Sequence, residues 1–226
     1  MSRTSVVVGA GQGIGRAVAV RMAADGGTVH LVGRTRPALE ETAAMVGAGA
    51  VVHAADATDP AAVRAVAGAV ERADVVVHTV GDSSMGAFVD LTPAEWHRVL
   101  DANLTSAFLV ASAFLPHLRA SENPSLVLLA SKTALKGYPV VAYSAAKAGV
   151  VGMARALAVE LAPEHIRVVP LCPGPTDTPM RWRSTPDMDE QVVIAPESVA
   201  DLVHAVVGLP RGTVTDVLLL QSDLYD

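Results

Sequence analysis

Seven short apolar runs punctuate this 226-residue chain, at 4–9, 28–33, 50–54, 74–78, 125–130, 166–171 and 215–220. They are rich in Val and Leu and continuously apolar, not alternating. An alternating strand has one wet face, whereas a continuously apolar one is covered on both. The stretches between them, at about 13–24, 37–46, 60–72, 93–119, 142–162 and 197–208, read as helices. Strand and helix in regular succession predict an α/β fold, a doubly wound, seven-stranded parallel sheet with helices on both faces. Thr92-Pro93-Ala94-Glu95 offers an N-cap, a proline at the first helical position and a glutamate at the third, and Asp59-Pro60 repeats the cap and proline.

A chain of this length suits one domain, 1–226, large enough to fold without disulfides or metals. No repeat, low-complexity segment or linker interrupts it. Residues 173–196 form the only long irregular stretch, and such loops in compact domains are usually functional, so a short substrate lid is expected at about 175–196. Seventeen basic against 23 acidic residues give a net charge of −6, which argues against nucleic acid and an anionic membrane surface as partners. The single cysteine, Cys172, excludes an internal disulfide and forms no metal-site pattern, so no metal is expected and the thiol reads as buried and structural. The start shows no signal-peptide pattern and no run reads as apolar enough to span a bilayer, so a soluble, cytoplasmic protein is expected.

The first strand runs into Gly9-Ala10-Gly11-Gln12-Gly13-Ile14-Gly15. Glycines let a backbone turn sharply and bring its amides close to phosphates, and the following helix start favours the anion. Placed after the first strand of an alternating chain, this is a Rossmann-type nucleotide turn; by itself it could be a tight turn with no ligand. At the end of the second strand, where an acidic residue would select NAD, the chain has Gly33-Arg34-Thr35-Arg36. An arginine there can pair with a 2′-phosphate and stack on adenine, so NADP(H) is expected over NAD(H), with Arg34 as main determinant. The alternative is that Arg34 or Arg36 is merely solvated. Asp56-Ala57, after the third strand, suits the adenine edge, and Asp56 suits a turn equally well.

Tyr143 and Lys147, four apart on one helix, share a face. A nearby lysine cation favours the phenolate, and a tyrosine so tuned can protonate an alkoxide or run the reverse as a base. Ser131 ends the fifth strand, where its hydroxyl can steady a substrate oxygen.

The order and spacing of Gly9, Gly13, Gly15, Asp56, Gly81, Asn103, Ser131, Tyr143, Lys147 and Pro173-Gly174 with Thr178 resemble the short-chain dehydrogenase/reductase family from Val8 to about Met180. The resemblance implies a carbonyl reductase or alcohol dehydrogenase on a small or medium organic substrate. Tyr143 would be the general acid/base, Lys147 would lower its pKa and bind the nicotinamide ribose, Ser131 would position the carbonyl, and Asn103 would hold a water in a proton relay. The backbone at Thr176 and the side chain of Thr178 would hold the nicotinamide carboxamide and phosphate. As a bare feature Asn103 is an ordinary helix residue. Where the family commonly has Asn-Asn-Ala-Gly, this chain has His78-Thr79-Val80-Gly81, with His78 as a structural substitute or, in the sharper reading, a catalytic group. Pro170 stands where an asparagine is common, the gap from Ser131 to Tyr143 is slightly short, and the tail lacks the usual glycine-rich ending, so family-style tail contacts are not expected. These departures motivate two rivals, a non-enzymatic NADP(H)-binding regulator and a non-redox dehydratase or isomerase.

Ser83, Met85, Phe88, Thr133, Tyr138 and Met180 are candidate substrate walls. Arg181-Trp182-Arg183 either binds an acidic or aromatic substrate or is a solvated loop anchored by its tryptophan. The 142–162 helix is apolar nearly all round, which predicts two-fold self-association through it and the 93–119 helix. The family resemblance implies a homodimer or homotetramer.

Overall fold

The computed structural model describes residues 2–83 and 86–225; Met85 lies outside the described residues. The strands are β1 (Thr4–Val8), β2 (Thr28–Gly33), β3 (Ala50–Ala54), β4 (Val75–His78), β5 (Ser125–Leu129), β6 (Arg167–Pro173) and β7 (Leu218–Leu220). They form one seven-stranded sheet in the order β3-β2-β1-β4-β5-β6-β7, every pair parallel. The chain winds outward from β1 to β3 and then returns to lay β4 on the other side of β1. At such a switch point the loops leaving the two strands diverge and open a crevice at their carboxyl ends.

The helices are α1 (Gly13–Ala23), α2 (Arg36–Val46), α3 (Pro60–Gly68), α4 (Pro93–Leu100), α5 (Ser106–Arg119), α6 (Val141–Leu161), α7 (Pro179–Ser184) and α8 (Pro196–Val207). Neighbouring residues of one strand feed opposite cores: Val6 packs with Val63, Phe114 and Val150, while Val7 packs with Met22, Leu39 and Val203. That is why the strand runs are apolar without alternation. Burying each such side chain contributes about 1.5–3 kcal/mol. Both anticipated caps are present. Thr92 Oγ1 accepts from Glu95 N at 3.2 Å, with Glu95 returning the bond to Thr92 N, and Asp59 accepts from Ala61 N at 2.8 Å.

The expected 93–119 helix is not uniform. One π-turn at Asp101–Thr105 separates α4 from α5 and inserts an extra residue into the ladder. The continuous 27-residue helix Pro93–Arg119 is also long and apolar enough to cross a membrane by length and composition, which corrects the expectation that no run qualifies. Ala107, Val110, Phe114 and Leu118 of this helix are buried against the sheet, so core packing accounts for part of its apolarity, while Phe108 stays exposed. β7 has three residues where six were expected. Its approach is held by side chains instead: Arg167 Nε donates to Thr213 O at 2.9 Å, and Arg155 pairs with Asp216. The irregular 173–196 stretch contains α7, a 3₁₀ turn at Glu190–Val192 and a parallel bridge between Thr176 and Ile194.

Candidate functional site

The crevice beside β1 opens into a cleft of about 1140 Å³. The 9–15 turn forms its floor. Gly9 and Gly13 have φ of +96° and +53°, a left-handed region that side chains disfavour. A Cβ on Gly15 would run into the carbonyl oxygen of Gly9, and one on Gly13 would lie 3.0 Å from Thr178 Cγ2. The backbone therefore approaches as closely as only glycine permits. Gln12 stands at the N-cap of α1 without capping it through its side chain, which leaves the first amides of the helix, from Gly13, Ile14 and Gly15 onward, available to an anion. Arg16 braces the turn from behind, donating to Gly11 O at 2.6 Å and pairing with Glu41.

Arg34, Thr35, Asp56 and Ala57 line the next part of the cleft. The two arginines after β2 separate here. Arg36 faces Glu40 at 3.8 Å along α2, whereas Arg34 is exposed in the cleft with its charge acting on Asp56. Asp56 is both a turn residue and a cleft residue. Its Oδ1 accepts from Thr58 N and Thr58 Oγ1 at 2.9 and 2.8 Å. Burial opposes its ionisation, but these bonds and Arg34 outweigh it and hold the carboxyl below its usual range.

At the far end the buried side chains converge. Lys147 is 3% exposed, and its Nζ donates to Leu129 O at 2.7 Å, at the end of β5. Burial pulls its pKa down to about 8. Asn103 sits in the π-turn, fully buried, and its Nδ2 donates to Asp82 O and Val99 O at 2.7 and 2.8 Å. Its Oδ1 has no hydrogen-bond partner among the described residues. A Cβ on Gly81 would lie 2.7 Å from that Oδ1 and 3.5 Å from Lys147 Nζ, so Gly81 lines the cleft at the point where both groups meet it. Gly149 lets α6 press on the π-turn, since a Cβ there would lie 2.7 Å from Leu104 Cδ2.

Tyr143 is half-buried on α6, with Lys147 Nζ 5.7 Å from its ring centroid. Burial raises the phenol pKa, opposed by a hydrogen bond with Ser131 and by the charge of Arg181. Lys147, expected to lower this phenol, is not among the groups that do so. Ser131 Oγ also accepts from Thr133 N at 3.2 Å. Cys172 is a buried free thiol beneath this site.

Pro173-Gly174 ends β6 against the chain terminus: Gly174 N donates to Leu220 O at 2.7 Å. Thr176 is buried with its hydroxyl on Gly174 O at 3.1 Å, and Thr178 caps α7 through Arg181 N at 3.2 Å. Pro173, Gly174 and Thr176, expected to bind cofactor, do not line the cleft, whereas Thr178 does. His78 is fully buried. Its Nε2 lies 2.8 Å from Ser106 Oγ, which donates to Ala102 O. The hydroxyl's single proton is used on that carbonyl, so Nε2–H is the donor to Ser106. Burial, with the nearby Lys147 charge, pushes the imidazole pKa down to about 3. A neutral ring sealed against the π-turn is a fastening, as the structural reading of His78 anticipated.

Of the expected substrate walls, Ser83 and Met180 line the nucleotide cleft, and Phe88 is 68% exposed. Arg181-Trp182-Arg183 divides three ways: Trp182 Nε1 donates to Asp177 at 2.7 Å, Arg183 lines the cleft, and Arg181 Nη1 donates to Thr185 Oγ1 at 3.1 Å. Sequence reasoning missed the latch between Ser83 Oγ and Ser184 Oγ at 2.7 Å, the Asp82–Arg98 ion pair, and Thr79, whose hydroxyl bonds Val8 O at 2.8 Å. Thr79 alone had a signal, as the residue after the strand at the switch point.

The short chain dehydrogenase family profile matches residues 3–189. A subunit of (2S)-[(R)-hydroxy(phenyl)methyl]succinyl-CoA dehydrogenase from Thauera aromatica is 31% identical over 230 residues, covering 98% of this chain and 90% of the relative. An actinorhodin polyketide ketoreductase variant solved with NADPH superposes with a TM-score of 0.90 at 28% identity, covering 97% of this chain and 95% of that one. A short chain dehydrogenase from Mycobacterium paratuberculosis bound to NAD gives 0.85 at 28%, covering 96% of each chain.

Proposed function

Because this chain belongs to the short-chain dehydrogenases, we propose that it interconverts a carbonyl and a secondary alcohol on a small or medium organic substrate, with NADP(H) preferred over NAD(H). The observation that supports this is that Tyr143, bonded to Ser131 and with its ring centroid 5.7 Å from Lys147 Nζ, gathers with them behind Gly81, which lines a cleft that also holds Arg34. The residues fit a nicotinamide nucleotide: the glycine floor is a cradle that a single Cβ would fill, and Arg34, exposed in the same cleft, supports the preference for a 2′-phosphate. When bound, the cofactor supplies or takes up the hydride.

The protein's part is to place the carbonyl and move a proton. The Ser131 hydroxyl bonds Tyr143 and steadies the substrate oxygen beside it. A phenol raised by burial stays protonated at neutral pH, which is the form that donates to an alkoxide. Lys147, anchored on Leu129 O, holds a charge within reach of Gly81 and Asn103 Oδ1, the route by which the phenol would be reprotonated. The exposed Phe108, Ala145, Ala148 and Val159 on α5 and α6 support two-fold self-association through these helices.

The test is titration with NADPH and NADH, followed by reduction of a ketone panel. Tyr143→Phe should lower kcat/KM by about 10²–10⁴-fold while cofactor affinity is kept. Cofactor binding without turnover, indifferent to Tyr143, would favour a regulator. Product formed with no net change in cofactor redox state would favour a dehydratase or isomerase.

A further inference from the structure

Residues 221–225 pack against the turn that immediately follows Ser131. Residues 221–225 leave β7 and fold back on themselves, with Tyr225 N donating to Ser222 O at 3.2 Å and Leu224 N to Ser222 Oγ at 3.2 Å. Three separate segments hold them. Gln221 presses on the residue that follows β6, its Cβ 2.9 Å from where a Cβ on Gly174 would stand. Ser222 Oγ reaches Gln191 O at 3.4 Å, in the stretch expected to be a lid. Tyr225 meets the turn after Ser131: Lys132 Nζ lies 4.1 Å from its ring centroid and 3.4 Å from its carbonyl oxygen, which also accepts from Gln221 Nε2 at 2.8 Å.

Lys132 is only 6% exposed, an uncommon burial for a lysine, and it immediately follows Ser131. Cation and ring together fasten the tail to the residue next to the group that positions the carbonyl. The Tyr138 ring lies parallel to Tyr225, with centroids 6.4 Å apart. Burial, with the Tyr138 hydrogen bond, pushes the Tyr225 phenol up to about 12, so its hydroxyl stays neutral over the working range of a protein.

We propose that Tyr225, clamped by Lys132 and aligned with Tyr138, closes the substrate end of the site and sets the largest carbonyl compound it admits. This rests on the reductase reading above. The residue determines specificity through size and does not take part in proton transfer. Lys132 is a positioning residue that acts through Tyr225.

The experiment measures NADPH-dependent kcat and KM for a graded series of ketones, from butanone to bulky aryl ketones, in the full chain and in Tyr225→Ala, Tyr225→Phe, Lys132→Met and Lys132→Arg, with NADPH affinity and thermal midpoint taken alongside. Tyr225→Ala and Lys132→Met should each shift the ratio of kcat/KM for large over small ketones upward by about tenfold, mostly through KM, with cofactor affinity unchanged. Tyr225→Phe and Lys132→Arg should restore most of the wild-type ratio. A ratio unchanged within about twofold in both disruptive variants, at unchanged thermal midpoint, would overturn the inference. If Tyr225→Ala loses its fold, Lys132→Met decides by the same ratio. A wild-type protein that binds NADPH but reduces no ketone would overturn the reductase reading itself, and this inference with it.

Discussion

The nucleotide half and the chemical half of this cleft are built from different material. From β1 to α3 the cleft is shaped by backbone: a floor of glycines, uncapped amides at the start of α1 and exposed side chains such as Arg34. From β4 onward buried polar side chains stand behind its lining, with Asn103 and His78 at 0% exposure, Lys147 at 3% and Lys132 at 6%. A backbone cradle binds by shape, and it fails when a single atom is added. Buried polar groups act by charge and proton position, and each must keep a partner because leaving it unpaired costs about 1–3 kcal/mol. Binding and chemistry should therefore respond separately to substitution.

The sharpest way to break that separation is to add one methyl to each half. Gly15→Ala would drive a Cβ into Gly9 O in the floor and into the Thr79 hydroxyl beside it. The expected result is loss of measurable cofactor binding with a stability loss of about 2 kcal/mol or more, seen as a lower urea midpoint. Gly81→Ala would instead meet Asn103 Oδ1 and Lys147 Nζ. It should retain cofactor binding within about tenfold while kcat falls by about 10²-fold, an order typical of lost acid/base assistance. If both variants lose binding alike, the two halves are one mechanical unit.

Arg34→Ala sharpens the comparison within the nucleotide half. A charged hydrogen-bond partner contributes about 1.5–3 kcal/mol, so NADPH affinity should fall by about 10–100-fold. NADH affinity should change by less than about threefold, because it carries no 2′-phosphate. The readout is tryptophan quenching or calorimetry with each nucleotide. Equal losses for both would place Arg34 on a shared part of the cofactor, such as the adenine.

The same division explains what could be read from the chain alone. The strand runs, the glycine turn and the Thr92 and Asp59 caps are local patterns, and the structure repeats them nearly residue for residue. The roles of Asn103 and Thr178 came only from family resemblance, because nothing in their spacing reveals the company they keep. The π-turn that presents Asn103 depends on Gly149 of a helix more than 40 residues later, and no local pattern encodes such a contact. Tyr225 escaped notice for the same reason: its partners Lys132, Tyr138 and Gln221 meet only once the sheet is complete. β7 is shorter than its apolar run because only Leu218–Leu220 pair with β6, Asp216 before them being held through its side chain by Arg155.

The smallest effect expected concerns His78, where the chain departs from its family. Its pKa in the folded state is about 3, against 6.5 for an ordinary histidine. As pH falls below 6.5 the unfolded chain takes up a proton that the folded chain refuses, so stability is lost over the window from 6.5 down to about 3. At pH 5.5 the loss from this one residue is about 1.4 kcal/mol relative to pH 7.5. His78→Asn removes the titration but keeps a polar group facing Ser106. Urea midpoints at pH 7.5 and 5.5 should therefore show the variant losing less than wild type on acidification, by about that amount. His30, lowered to about 4 by burial, is common to both proteins and drops out of the difference. An equal loss in both would mean that His78 takes its proton within the folded state, so the contact between β4 and the π-turn opens to water and Asn103 is held by its own two backbone bonds alone.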